Sequence, residues 1–451
     1  MAMPWFSAVR RDFYRTIPRS FRRRLKHLLL VQLILVLCVL GFWQAKYNNF
    51  LGGTSPQLQL LERRISEFRD SVEKNEALGI LLESALNTKK AVPKLLSILD
   101  VPNLVIPVLV IACNRVSVRR NLDALLLSRK SLIGLSPSVF PITVSQGCSH
   151  DPTTKVLTSY GDQINVIRFN DNEKPGPNVK QSGYSSVARH YKFALDHMLM
   201  TLNHSAVIVV EDDLDVAPDF LDYFAATYPL LLSDPSLFCV SAWNDNGRPE
   251  LVDPTRNDLI YRCDFFPGLG WMMLRSFWLE IRDQWPSIYW DEYVRKDYVR
   301  KNRSCLRPEI GRTTTFGKHG ISRGQYYEKF LKTMLLNKVK YNFLEADLTY
   351  LYQPGYSKRW HRRVYDECTG VNISDFLRDN FPGHQSVSCL RVTYTTRKEF
   401  ESVARHCKLM DDFKSGVMRN GFEGVVPIYW MNYEMYIAPP PSWTHYDMSW
   451  V

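Results

Sequence analysis

An α/β fold built on a Rossmann-like doubly wound sheet is what this chain's pattern predicts, and three observations carry the prediction. Continuous apolar runs alternate with segments of helical periodicity from residue 105 onward, the runs have the length of strands buried on both faces, and one of them ends in three acids. IPVLVIAC (106–113) reads as the first strand, and the segment after it places Val118, Leu122, Leu125 and Leu126 at helical spacing. PITVSQ (141–146) and INVIRF (164–169) read as the next two strands. Residues 185–203 then set Val187, Tyr191, Ala194, Met198 and Leu202 on one helical face, and AVIVV (206–210) closes a parallel series. That last run leads directly into Glu211, Asp212 and Asp213, at the carboxyl edge where open α/β sheets bind their ligands.

Past residue 355 the texture changes. CLRVTYTTRKEF, GVVPIYW and MNYEMYIAPPP read as short antiparallel strands separated by turn residues. They predict a smaller, mostly β domain over 355–451, joined to the main domain at 105–330 through a linker or packed connection at 331–354.

The amino-terminal end differs again. Residues 1–27 carry eight Arg or Lys and one acid, supplying +7 of the chain's net charge of +11. A basic patch confined to one tail speaks for membrane topology rather than a nucleic-acid groove, so no nucleic-acid partner is expected. The tail runs into an uncharged apolar stretch, and residues 28–46 read as a single-pass signal anchor with the basic flank cytoplasmic and the rest lumenal. Gln44, Lys46 and Tyr47 follow the stretch instead of a small-residue cleavage site, which disfavours a removed signal peptide. Residues 47–104, charged and leucine-containing, read as a partly helical stem. Eight cysteines beyond the anchor, none in a CxxC pattern, can pair in an oxidising compartment. Sequons at Asn203, Asn302 and Asn372 permit N-glycosylation there.

Three segments carry candidate chemistry. The acids 211–213 repel one another unless a cation joins them, and a hard divalent ion that also takes phosphate oxygens and water would do so; the plainer alternative is a solvated acidic turn before a helix, which Pro218 also suits. CDFFPGLGWMM (263–273) has the glycines for a backbone turn under aromatic rings, as a sugar cradle needs, or is simply a Gly-Pro turn with aromatic core residues. In IYWDEY (288–293), Asp291 between aromatics can be partly desolvated and made more basic, as a general base requires, or can face solvent near a helix start.

EDDLDVAPDF (211–220), SAWNDNG (241–247), DFFPGLGW (264–271), the Trp-Pro to Trp-Asp stretch at 285–291, RPEI with the following TTTFG (307–317), MDDFKSGV (410–417) and the closing APPPSWTHYDMSW together resemble the N-acetylglucosaminyltransferase I family. The resemblance runs from about residue 105 to the C-terminus. It implies a GT-A type fold and inverting transfer of GlcNAc from UDP-GlcNAc to the mannose of the α-1,3 arm of a five-mannose, high-mannose N-glycan. Manganese as cofactor and a Golgi membrane location, type II with the catalytic domain lumenal, are further implications. By position, Asp213 matches the metal ligand, Asp212 a ribose contact and Glu211 an acid near the GlcNAc. Asp291 matches the catalytic base, with Trp290 lining the donor sugar. Arg115 and His190 match uridine-diphosphate contacts, although a helix histidine satisfied by local hydrogen bonds is the ordinary reading of His190. Ser322 matches a hydroxyl over the donor phosphates, and the cysteine pairs Cys113 with Cys148 and Cys239 with Cys305 match disulfides, while Cys263, Cys368, Cys389 and Cys407 stay unassigned.

In one place the sequence departs from the family. Gly147 stands where the family has an acid that contacts uracil, which implies that an Asp restored there would lower the KM for UDP-GlcNAc. Two other activities compete. One is transfer of GlcNAc to protein O-mannose, whose carbohydrate-binding stem domain would not fit between anchor and catalytic domain. The other is a silent Golgi glycan-binding protein, which has no use for a metal site and a base together.

Overall fold

Residues 104–132, 134–171, 179–318, 320, 324, 327–380 and 387–450 are described by the computed structural model. The tail at 1–27, the anchor at 28–46, nearly all of the stem and Ser322 therefore lie outside the described residues. Among those described, no helix is long and apolar enough to cross a membrane.

The predicted parallel strands all form. β1 (Val108–Ala112), β2 (Ile142–Gln146), β3 (Asn165–Arg168) and β4 (Ala206–Glu211) make a parallel half-sheet in the order β3-β2-β1-β4. Their apolar runs fit this place because β1 and β2 are buried at every residue, whereas β3, at the edge, is largely exposed. Register aligns the strand ends: Ile111 pairs with both Ser145 and Glu211, and Ala112 with Gln146. Cys113, Gly147 and Asp212 thus leave the sheet side by side.

The sheet does not stay parallel. After β5 (Leu214–Val216) come β6 (Leu237–Ser241), β7 (Ile260–Cys263), β8 (Trp271–Leu274) and β9 (Ser304–Pro308), completing eight strands in the order β3-β2-β1-β4-β8-β6-β9-β7. β8 runs antiparallel to both β4 and β6, and β7 antiparallel to β9, which corrects the expectation of an all-parallel sheet. Apolar periodicity reports burial, not strand direction, so it could not distinguish the two halves. β10 (Thr313–Thr315) pairs antiparallel with β5, laying residues 313–318 along the acid turn.

α1 (Val118–Lys130) buries the four expected apolar residues. α2 (Val179–Asp196) buries Tyr191 and Ala194, then widens into a π-helical turn, His197–Thr201, that still covers Met198 but leaves Leu202 46 % exposed. The wider turn rotates the chain off a 3.6-residue stripe, which is why Leu202 leaves the predicted face. α3 (Phe220–Ser233) is almost wholly buried beneath the second half-sheet.

The C-terminal segment is mixed rather than mostly β. β11 (Thr369–Val371), β12 (Leu390–Thr393), β15 (Val426–Trp430) and β16 (Tyr433–Ala438) form a sheet in which β12 is parallel to β11 and β16, with a small ladder of β13 (Phe413–Lys414) and β14 (Val417–Met418) beside it. Only β15 and β16 make the expected hairpin within that sheet, turning through Met431 and Asn432, both at positive φ. The TTRKEF residues after β12 instead open a helix, Arg397–His406: Thr396 accepts from Glu399 N while the Glu399 side chain accepts from Thr396 N, a capping box. Residues 331–354 are packed, with Phe343, Leu344, Leu348 and Leu351 buried.

Candidate active site

The acid turn is built by β4 and its neighbours. Asp212 and Asp213 are buried, and one Arg115 nitrogen, Nη1, donates to both of them, at 2.8 Å to Asp213 Oδ2. Cys113 N donates to the second Asp212 oxygen at 3.2 Å. From the other side Phe316 N donates to Asp213 O at 2.9 Å, and Gly317 lies so close that an added Cβ would sit 1.9 Å from Asp213 Oδ2. The turn is therefore neither solvated nor a plain helix start. Burial lifts all three acids above the ordinary carboxylate range, Glu211 to about 7, and the charge of Asp213 adds to the rise of Glu211.

The ends of β2 and β3 form a second wall. His190, on α2, is buried, shares a hydrogen bond between Nε2 and Ser145 Oγ at 2.8 Å, and stacks on Phe169 at 5.1 Å with rings 5° from parallel. Burial lowers its pKa to about 4, so the imidazole is neutral at physiological pH. Gly147 is packed directly against this ring: a Cβ there would lie 2.4 Å from His190 Nδ1. Against the expectation that Asp at 147 improves donor binding stands a steric cost: a side chain there must first displace a buried, hydrogen-bonded ring.

Asp291 begins α4 (Trp290–Val294) and is not wedged between aromatics. Its side chain is 40 % exposed and accepts a 2.6 Å hydrogen bond from Arg295 Nη1, one helical turn on. Arg295 is held in turn by donating Nε to Phe266 O at 3.1 Å and by lying over the Phe265 ring at 5.0 Å. The 263–273 loop therefore reaches Asp291 through Arg295. Its own turn sits in the core: Gly268, Leu269 and Gly270 are at positive φ, and a Cβ on Gly270 would strike the Thr313 side chain at 2.6 Å.

Trp290 joins the two sides. It stacks on Tyr191 at 4.3 Å, and the Tyr191 hydroxyl donates to Glu211 Oε1 at 2.6 Å. Asp291 is close enough to help raise the Tyr191 hydroxyl, after burial and Glu211, well above its usual value. Glu211, Asp212, Asp213, Arg115, Trp290 and Asp291 thus border one region, with His190 on its β2–β3 wall. Sequence reasoning gave Tyr191 only a core position and missed Arg295 and Phe169; the i,i+4 spacing of Asp291 and Arg295 was the available signal.

Other motif segments are structural. Asn244 donates to Glu309 O and accepts from Asn420, while Arg419 bridges Asp245 and Asp412, so SAWNDNG, RPEI and MDDFKSGV meet in a buried network. Disulfides link Cys113 with Cys148, Cys239 with Cys305, and Cys368 with Cys389. Cys263 and Cys407 are buried free thiols, and Cys263 lies directly across the strand pair from Cys305.

The donor set suits a hard divalent cation. Two buried carboxylates, Asp212 and Asp213, share one guanidinium with Glu211 beside them, and burial raises the pKa of all three. Among the described residues no group of three or more His, Cys, Asp or Glu side chains is placed to hold an ion alone. A cation at Asp213 would draw its remaining ligands from phosphate oxygens and water, which is how magnesium-like ions are commonly bound.

Residues 60–450 match the GNT-I family. A protein from Arabidopsis thaliana, alpha-1,3-mannosyl-glycoprotein 2-beta-N-acetylglucosaminyltransferase, is 33% identical over 382 residues, covering 83% of this chain and 82% of that protein. Among solved structures, residues 1–349 of S. aureus TarS in complex with UDP-GlcNAc align with a TM-score of 0.30 and 14% identity, over 45% of this chain and 56% of that one. The mannosyltransferase PcManGT from Pyrobaculum calidifontis, in complex with GDP-Man and Mn2+, aligns with a TM-score of 0.26 and 16% identity, over 46% and 58%. This chain spans just over half the length of those two structures. Matched along nearly its whole described length, it belongs to the GNT-I family and is a glycosyltransferase.

Proposed function

We propose that this protein transfers GlcNAc from UDP-GlcNAc, with inversion, to the 2-hydroxyl of the α-1,3-arm mannose of a five-mannose N-glycan. The observation that carries the reading is the pair of carboxylate centres joined by the Tyr191–Trp290 stack: a buried acid turn and a water-facing Asp291. The donor diphosphate lies at the acid turn, with its uridine toward His190 and Phe169, where a neutral imidazole and a flat ring suit a base. Asp291 accepts the proton of the acceptor hydroxyl as that oxygen attacks the anomeric carbon. The bond to UDP breaks in the same displacement, and the leaving diphosphate carries away the electron pair. No covalent enzyme intermediate is needed. Arg295 holds Asp291 in one orientation, which preserves attack geometry.

Manganese is the proposed cofactor; bound through Asp213, it supplies Lewis-acid stabilisation of the charge on the departing diphosphate. Arg115 orients Asp212 and Asp213, and Gly317 permits the main chain to close against Asp213. The basic tail and the apolar stretch at 28–46 support a type II Golgi anchor with this domain lumenal. The test is an assay of the full chain with UDP-GlcNAc and the five-mannose glycan, with manganese and after chelation. Asp291→Asn should retain UDP binding and lose about a hundredfold or more in kcat. Near wild-type turnover by that variant would remove Asp291 from the mechanism.

A further inference from the structure

The contact between α2 and the segment before α4 is a ladder with one odd rung. Ala188 and Tyr191 belong to the inner rungs: Ala188 O accepts from Trp285 Nε1 at 2.9 Å, and Tyr191 stacks on Trp290. Ala188, Tyr191 and Trp290 are buried, Trp285 packs partly buried against the same core, and none of them needs a further explanation. Tyr184, one helical turn before Ala188, forms the outer rung with Tyr289, ring centroids 4.7 Å apart and planes at 51°. Here the core explanation stops. Tyr289 is 43 % exposed, and its backbone is left-handed, with φ 50° and ψ 54°. A bulky residue holds that conformation at a cost, and such strain gathers at binding sites.

We propose that Tyr289 and Tyr184 form the stacking platform for the acceptor sugar. This rests on the transferase reading above and adds the subsite that presents the acceptor hydroxyl to Asp291. A pyranose offers an apolar C–H face to an aromatic ring and hydroxyls at its rim, so it needs both a ring and polar neighbours. Both are present: Asp291 is two residues from Tyr289, and Glu292, ion-paired to Lys414 at 3.0 Å and to Arg295 at 3.4 Å, borders the same helix start. The left-handed turn at Tyr289 lets its ring stay outside while Trp290, the next residue, enters the core. A neutral sugar is the matching ligand, since the charged groups here, Asp291, Glu292, Arg295 and Lys414, are already paired with one another.

The experiment compares Tyr289→Gly, which removes the ring but suits the positive φ, with Tyr289→Phe and Tyr184→Ala in the full chain. Binding of the five-mannose glycan is followed by calorimetry in the presence of UDP, and transfer kinetics are measured in parallel. Tyr289→Gly and Tyr184→Ala should weaken glycan binding and raise the acceptor KM by about tenfold, with Tyr289→Phe within about twofold of wild type. The KM for UDP-GlcNAc and the melting temperature should not move. Unchanged glycan binding in Tyr289→Gly, an equal loss of donor affinity, or no glycan binding by the wild type would each overturn the platform. Wild-type glycan binding that depends on Tyr289 but leads to no transfer would uphold the platform and overturn the transferase reading instead.

Discussion

The two carboxylate centres are built on opposite principles. At the acid turn, two carboxyls beside a third are taken out of water and given one guanidinium between them; at Asp291, a single carboxylate stays wet and is steered by an arginine that is itself tied down. The first arrangement stores unfavourable charge that a cation and a diphosphate can relieve. The second stores none. On the proposed mechanism, binding energy is thus concentrated where the leaving group departs, and the proton acceptor is left free to meet a hydroxyl arriving from solvent.

Breaking the first centre should have the largest effect. Asp213→Ala should lower turnover by about a thousandfold, because charge on the leaving diphosphate goes uncompensated. In the cation-free protein the same change should leave stability unchanged or increase it, since a repelling carboxylate is removed; urea unfolding with and without manganese checks both halves. Breaking the second should cost less. Arg295→Met keeps the bulk over Phe265 but frees Asp291, and a kcat loss of about thirtyfold with donor KM unchanged is expected from misorientation alone.

Gly147→Asp should weaken UDP binding by about tenfold, since the new side chain must evict His190 from its Ser145 hydrogen bond and Phe169 stack. Calorimetry with UDP would show it, and tighter binding would mean the ring moves aside freely. The smallest effect separates the centres by pH. Glu211 has a folded pKa near 7, above its unfolded value, so its contribution to stability is fully present below the ordinary Glu range and is lost as pH rises through about 7. Glu309, also buried and raised to about 7, titrates over the same window. Glu211→Gln should therefore flatten the stability profile of the cation-free protein only in part, and the double variant with Glu309→Gln should flatten it further; a profile unaltered by Glu211→Gln would place that acid in water.

What could be read in advance followed physical lines. β1 and β4 were legible because a strand buried on both faces writes an unbroken apolar run, and the acids after β4 were legible because that run stops abruptly. The antiparallel β8 was not, since VIVV and WMML carry burial without direction. TTRKEF was misread as strand because its β-branched residues outweighed a capping box only four residues long. At the site, Asp291 was singled out from its aromatic neighbours, yet those neighbours part ways: Trp290 turns inward onto Tyr191, Tyr289 stays exposed, and solvent reaches the carboxylate. Sequence proximity could not say which way each side chain turned at the left-handed Tyr289.

Cys239, Cys305 and Cys263 stand abreast on three neighbouring strands, with two of the sulfurs bonded and the third next to them. An oxidising compartment could in principle join Cys305 to either neighbour. Burial pushes the Cys263 thiol up to about 12, which keeps it protonated and chemically silent once the sheet has closed. In the closed sheet the Cys239–Cys305 bond therefore sits beside a thiol that does not ionise to attack it.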